Sequence, residues 1–281
     1  MVVRSLIEQS FLEPLMRADT AQVLGWLRAL PAEVVAARPR LWLAAATAWI
    51  VAGAYAQADP WLARLEHAAP DLDAAGLHET LQAHNAYYRG APAATMAWWR
   101  AALAQQPATT AAAAHERQVV IPAAAVILSR AEVMQGQIDA ALATLRHALQ
   151  QLPPAIAPEQ QLGGAMLAAL YMRLADLSYE IDDLSAVERA AREASTLGQQ
   201  SGYLAYHAHA LALLARVAQV HGKPDDAQAQ MQTAVQIVCA LHIVDDITYT
   251  VLGWALQLAI ARQDTAAVDA WQQLWADVVP A

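Results

Sequence analysis

The sequence predicts an all-α fold: a right-handed superhelical solenoid of about six two-helix repeats behind an N-terminal helical cap. Three observations predict it. The first is composition: 69 of 281 residues are Ala, and Leu, Gln, Glu and Arg are frequent. These side chains lose little entropy in a helix. The second is punctuation. Eleven Gly and 13 Pro are too few for the many tight turns of an all-β chain. The third is a repeat. Gly53, Gly90 and Gly136 each have a Pro 17 residues later, at Pro70, Pro107 and Pro153. Asp182, Gly222 and Gln263 hold the same place in three later units, Gln263 being followed by Pro280.

These six anchors lie 37, 46, 46, 40 and 41 residues apart, the period of a helical-hairpin array. A Gly anchor permits the positive φ that ends a helix, and the Pro stops the next one. Small or short side chains recur where two helices of a hairpin cross. Five residues after the anchor stand Ala58, Thr95, Ala141, Val187, Ala227 and Val268, and seven before it stand Ala46, Ala83, Ser129, Ala175, Ala215 and Leu256. Twelve after it come Leu65, Ala102, Ala148, Ala194, Ala234 and Trp275. Large apolar residues sit nine after it at Leu62, Trp99, Leu145 and Met231.

The elements follow in order. Two cap helices are expected near 4–17 and 20–30. First helices of the repeats are expected near 41–55, 77–89, 119–135, 162–181, 203–221 and 245–262, and second helices near 57–69, 93–105, 138–151, 184–198, 225–240 and 266–276. The stretch 153–164, with Pro153, Pro154, Pro158, Gly163 and Gly164, is expected as a long loop. No linker interrupts the pattern, so residues 1–40 are read as a cap continuous with an array over 41–281, one domain overall.

The order small residue, turn Gly, second-helix Ala, terminal Pro resembles the tetratricopeptide repeat (TPR). A more specific likeness lies at the front. Trp26-Leu27-Arg28-Ala29-Leu30-Pro31 is followed by Arg38-Pro39-Arg40-Leu41, then Ala48-Trp49 and Gly53. This resembles the start of the sensor domain in MalT-like regulators, large ATP-dependent LuxR-type transcription activators of bacteria. In that family a phosphate-loop ATPase precedes the helical repeats and a DNA-binding helix-turn-helix follows. The resemblance implies a ligand- or protein-binding sensor domain that controls activation and self-association of its parent. Phosphate-loop chemistry is missing here: the sole Lys, Lys223, has Val217 where the motif requires Gly. The resemblance therefore implies an excised sensor domain or a stand-alone relative.

Charge and chemistry narrow the partners. The net charge of −9 and the lack of any Lys/Arg run argue against direct nucleic-acid binding, which needs a basic face. A cytoplasmic, non-membrane protein is expected, because Glu8 and Glu13 break any signal-peptide core and the apolar run Leu41–Ala56 is too short to span a bilayer. The single Cys239 excludes an internal disulfide. No metal site or cofactor is expected: His207 and His209, two apart, point away from each other on a helix, and the other His residues read as surface or capping groups. No nucleophile, base and acid converge, so no enzyme is expected.

The candidate site is a groove. Six residues before each anchor stand Thr47, His84, Arg130, Asp176, Arg216 and Gln257, all polar in helices dominated by Ala and Leu. Tyr87, Tyr88 and Tyr179 fall in the last turns of first helices, beside that column. One reading is a water-facing surface with ion pairs between repeats, worth little when exposed. The other is a binding groove for a small polar ligand or an extended peptide, with Arg forks and Tyr faces as its contacts. A stand-alone scaffold gripping a peptide or protein partner is the alternative to the sensor.

Overall fold

The structure, a computed structural model, describes residues 7, 11–16, 20–68, 76–103, 111–152, 161–241 and 246–278. Among these residues all regular structure is helical. The cap comprises α1 (Leu12–Met16), α2 (Thr20–Arg28) and α3 (Ala32–Ala36). Hairpins follow: α4 (Pro39–Val51) with α5 (Tyr55–Ala68), α6 (Leu77–Tyr88) with α7 (Pro92–Leu103), and α8 (Ala111–Met134) with α9 (Ile138–Gln150). Then come α10 (Gln161–Glu180) with α11 (Leu184–Ser201), α12 (Leu204–Val220) with α13 (Pro224–Leu241), and α14 (Asp246–Ala261) with α15 (Thr265–Val278). They form two compact units, 1–144 and 145–281.

All six anchors adopt left-handed backbone. Gly53, Gly90, Gly136 and Gly222 have φ of 69°, 71°, 73° and 68°, and Asp182 and Gln263 follow at 62° and 56°. Each ends its helix with the same pair of bonds. Gly53 N–H reaches Ile50 O and Ala54 N–H reaches Trp49 O, and the pattern returns at the other anchors, as in Asp182 to Tyr179 and Asp183 to Ser178. This is the Schellman arrangement, which satisfies otherwise orphaned carbonyls. Asp183 and Asp264 then start the next helices, their carboxylates accepting from Ala186 N–H and Ala267 N–H at 3.0 Å.

The left-handed requirement yields a sign test. A Cβ added at Gly222 or at Gly25 meets nothing within 4 Å, but Gly222 has φ +68° and Gly25 lies in ordinary helix. Gly222→Ala is expected to cost about 1–2 kcal/mol from backbone strain alone. Gly25→Ala is expected to gain about 0.5–1 kcal/mol from helix propensity. Thermal melts of the two variants moving in the same direction would refute this account.

The crossing columns form the core. Ala58, Thr95, Ala141, Val187 and Ala227 are fully enclosed, as are Ala46, Ala83, Ser129, Ala175 and Ala215. Val268 and Leu256 in the last hairpin are half-buried. In the first unit one cluster joins Phe11 and Leu15 of the cap region to Leu41, Leu62 and Leu65, and a second gathers Ala83, Ala102 and Leu128 around Trp99. In the second unit, α12 packs against α10 and α14, and the core is built on Val187, Ala194, Leu213, Met231 and Val251.

Three expectations are corrected. Gly163 and Gly164 are helical and buried rather than in a loop. A Cβ on Gly164 would stand 3.4 Å from Ser201 Cβ, so Gly164 admits a close neighbour rather than a turn. Helix α8 begins at Ala111, not near 119, because the Ala111–Ala114 run is strongly helix-forming. The short α3 had no counterpart in the sequence reading; Trp42 Nε1–H fastens it by donating to Val35 O at 2.7 Å. The terminal markers Pro70, Pro107, Pro153 and Pro280, the stretch 153–160, and most of the expected helix 4–17 before residue 11 lie outside the described residues.

Candidate ligand-binding site

The polar column divides between the units and its members differ in environment. In the first unit, Thr47 is buried, and its hydroxyl donates back to Leu43 O at 2.7 Å. This internal bond withdraws it from any surface role. His84 is half-buried, flanked by Trp99, edge-on at 5.4 Å, and by Tyr88, stacked at 6.5 Å. Its Nδ1–H donates to Thr80 O at 3.1 Å. Burial pushes the imidazole pKa down to about 4, with the Arg130 charge lowering it further against the Thr80 bond.

An aromatic group surrounds His84. Tyr88 is 51% exposed. It stacks on Tyr55 at 5.0 Å and meets Tyr87 edge-on at 5.2 Å. Below it Asp59 accepts from Asn85 Nδ2–H at 3.0 Å and from Arg89 at 2.6 Å. Arg130 is half-buried. His84, Tyr87 and Tyr88 are thus brought together, with Tyr55 as a member the sequence reading missed.

In the second unit three first helices build a tighter cluster. Asp176 and Tyr179 lie one turn apart on α10, His209 and Arg216 two turns apart on α12, and Trp254 on α14. The Arg216 guanidinium carbon sits 4.3 Å from the Tyr179 ring centroid and 4.7 Å from that of Trp254. His209 meets Trp254 edge-on at 5.0 Å and approaches Asp176 Oδ1 to 3.0 Å through Nε2. A carboxylate only accepts, so Nε2–H is the donor. His209 is buried, and its Nδ1 has no partner among the described residues. Gln257, one turn beyond Trp254, is exposed.

This geometry corrects two expectations. The Arg and Asp of the column do not pair with each other here: Asp176 is bonded to His209, and Arg216 is held by aromatic rings. Nor are all histidines surface or capping groups, because His209 and His78 are buried against Trp254 and Trp98. A signal for His209 and Trp254 was present. His209 stands seven before Arg216, and Trp254 three before Gln257. These are same-face helical spacings that extend the polar column.

Other chemistry is sparse. Among the described residues no three His, Cys, Asp or Glu converge as metal ligands would. Burial pushes the Cys239 thiol pKa up, away from a reactive thiolate. Ser195 Oγ lies 2.8 Å from His207 Nδ1, but among the described residues no carboxylate orients that His. No helix of the described residues is long and apolar enough to cross a membrane.

No protein-family profile matches the chain, and no curated protein matches it by sequence. Solved structures share its fold. The apo form of RapI matches with a TM-score of 0.66 and 8% identity, over 99% of this chain and 76% of that one. A chain of the APC/C hetero-tetramer Cut9–Hcn1 matches with a TM-score of 0.70 and 11% identity, over 99% of this chain and 49% of that one. This chain thus spans about half the length of the latter. Both are TPR-like helical-repeat proteins, and at such identities the likeness concerns the fold alone.

Proposed function

We propose that this TPR-like chain is a non-catalytic binding module: the sensor domain of a MalT-like transcription regulator, with the Asp176, Tyr179, His209, Arg216 and Trp254 cluster as its recognition centre. The observation that carries the binding role is the cluster itself. Tyr179 and Trp254 pack against the core, but ordering the charged Arg216 and Asp176 beside them costs conformational entropy that apolar packing alone does not demand. A half-buried guanidinium between two rings is a contact surface rather than a fold element. The sensor assignment rests on the Trp26–Pro31, Arg38–Leu41 and Trp49–Gly53 motifs. Occupancy would bias the parent between resting and active states through differential affinity. The column members Thr47, Arg130 and Gln257 are peripheral in this proposal, and His84, Tyr87 and Tyr88 form a secondary contact.

The scaffold reading draws support from the Cut9–Hcn1 likeness, where a helical-repeat chain stands in a hetero-tetramer. The coding frame on both sides separates the two. A sensor requires a phosphate-loop ATPase before the chain and a helix-turn-helix after it; a frame with neither assigns the scaffold. In either case the purified chain is expected to bind neither ATP nor duplex DNA at physiological salt in calorimetry, for lack of a phosphate loop and a basic face. Micromolar affinity for either would overturn both readings.

A further inference from the structure

We propose that Arg216 is a receptor for a planar carboxylate, approached along the edge of its guanidinium. The proposal deepens the binding-module reading and rests on it. An Arg side chain carries five N–H donors in a fixed plane and keeps its charge throughout the accessible pH range. Arg216 is half-buried, and its contacts among the described residues are the two rings alone. Neither ring accepts a conventional hydrogen bond at the guanidinium edge. Among the described residues, therefore, the donors have no protein acceptor and the charge has no carboxylate counter-ion.

The neighbouring acid is already engaged. Asp176 accepts from His209 at 3.0 Å, and Trp254 touches both His209 and Arg216. The His209 bond engages Oδ1 of the column carboxylate in this cluster, and Asp176 makes no ion pair with Arg216. Tyr179 reaches the guanidinium from α10 and Trp254 from α14, the two helices that flank α12. Holding the fork in place in this way removes much of the rotamer entropy that binding would otherwise cost.

The same rings select the shape of the anion. Their faces carry the negative side of the aromatic quadrupole, so oxygens placed over them are repelled. A carboxylate is planar and docks in the plane of the fork through two parallel N–H···O bonds. A tetrahedral phosphate docked the same way holds two oxygens out of that plane, and both ring centroids lie within 5 Å of the guanidinium carbon, at 4.3 and 4.7 Å. The net charge of −9 offers no long-range attraction for an anion, and screening confines charge effects to about 8 Å in physiological salt. Recognition is accordingly short-range and geometric. The carboxylate can belong to a free small molecule or to an acidic residue of a peptide.

The test is a titration of the whole chain, isotopically labelled, following the Arg216 Nε–H resonance and, for comparison with Arg216→Lys, the Trp254 indole Nε1–H resonance that both proteins retain. The Arg216 signal is identified by its ring-current displacement and by its loss in Arg216→Lys. The probes are sodium acetate, an N-acetylated Glu-Glu amide and sodium phosphate, with sodium chloride holding ionic strength constant. The expected result is a saturable shift with acetate or the peptide, and binding about tenfold weaker in Arg216→Lys, whose ammonium has no fork. Equal affinity for acetate and the peptide identifies a free carboxylate as sufficient; a peptide preference of about tenfold or more identifies a peptide-borne one. Phosphate binding tighter than either, an equal response to chloride, or undiminished binding in the Lys variant would overturn the proposal. The coding-frame result is independent, so a failed sensor assignment and a failed carboxylate site are told apart.

Discussion

Trp99→Ala is expected to destabilise the first unit by ~3–5 kcal/mol, the cost of emptying a large aromatic site in a closed core. Trp99 is 0% exposed and is packed among Ala83, Ala102, Ala124, Ile127 and Leu128. Its small neighbours are backbone-anchored methyls, unable to collapse far into the space. One term works in the opposite direction: the indole Nε1 is buried without a partner among the described residues, and deleting that donor recovers part of its desolvation cost. Trp99→Phe, which keeps a ring and removes the donor, is therefore expected to lose much less than Trp99→Ala. Urea unfolding followed by far-ultraviolet circular dichroism checks both. Equal losses in the two variants would show that the site depends on the indole N–H rather than on filled volume.

The second large effect is acid destabilisation through His84. Its pKa falls from 6.5 in the unfolded reference to about 4 in the fold, because burial disfavours the charged ring. Above about pH 6.5 both states carry a neutral imidazole, and the contribution to stability is fully present. As pH falls from 6.5 toward 4 the unfolded state takes up the proton first, so stability drops, by about 3 kcal/mol in all, and then levels off. Glu132 acts in the opposite sense: burial raises its carboxyl pKa, against the Thr144 bond and the Arg100 charge. The difference between the parent chain and His84→Phe isolates the His84 contribution. The parent's unfolding free energy is expected to fall by about 3 kcal/mol relative to the variant's as pH drops through this window. A difference that stays constant from pH 6.5 to 4 would mean that His84 is not held neutral by the fold. The two effects are linked, since opening the Trp99 site hydrates His84 and returns its pKa toward the ordinary value.

Much of this molecule was legible in one dimension. The anchors predicted six hairpins because a helix terminus has a local requirement, positive φ at one residue, that recurs with the repeat. Asp182 and Gln263 meet it without being glycine. Their identity as anchors came from spacing, since neither residue type demands the conformation. Likewise Ala141 and Ala227 were assigned to close crossings from their register, and both are fully enclosed. Gly163 and Gly164 were misread because a glycine serves two purposes, turning a chain and admitting a neighbour, and only the packing of α10 near Ser201 distinguishes them.

The cluster proposed as the recognition centre was legible in part. The column arithmetic found Asp176 and Arg216, and the last-turn rule found Tyr179. It passed over His209 and Trp254, which share the column's helix face but not its offset from the anchor, and whose meeting depends on which helices pack side by side. The sequence by itself determined the helical repeat, its turns and its small-residue crossings, since these follow from backbone geometry and side-chain size within a few residues. The tertiary structure alone decided the partners: that Asp176 takes the His209 N–H, that Arg216 is left with two aromatic faces, and that Thr47 turns back to its own helix. Partner choice among polar side chains is set by distances between residues tens of positions apart in the chain, and no local pattern encodes those distances.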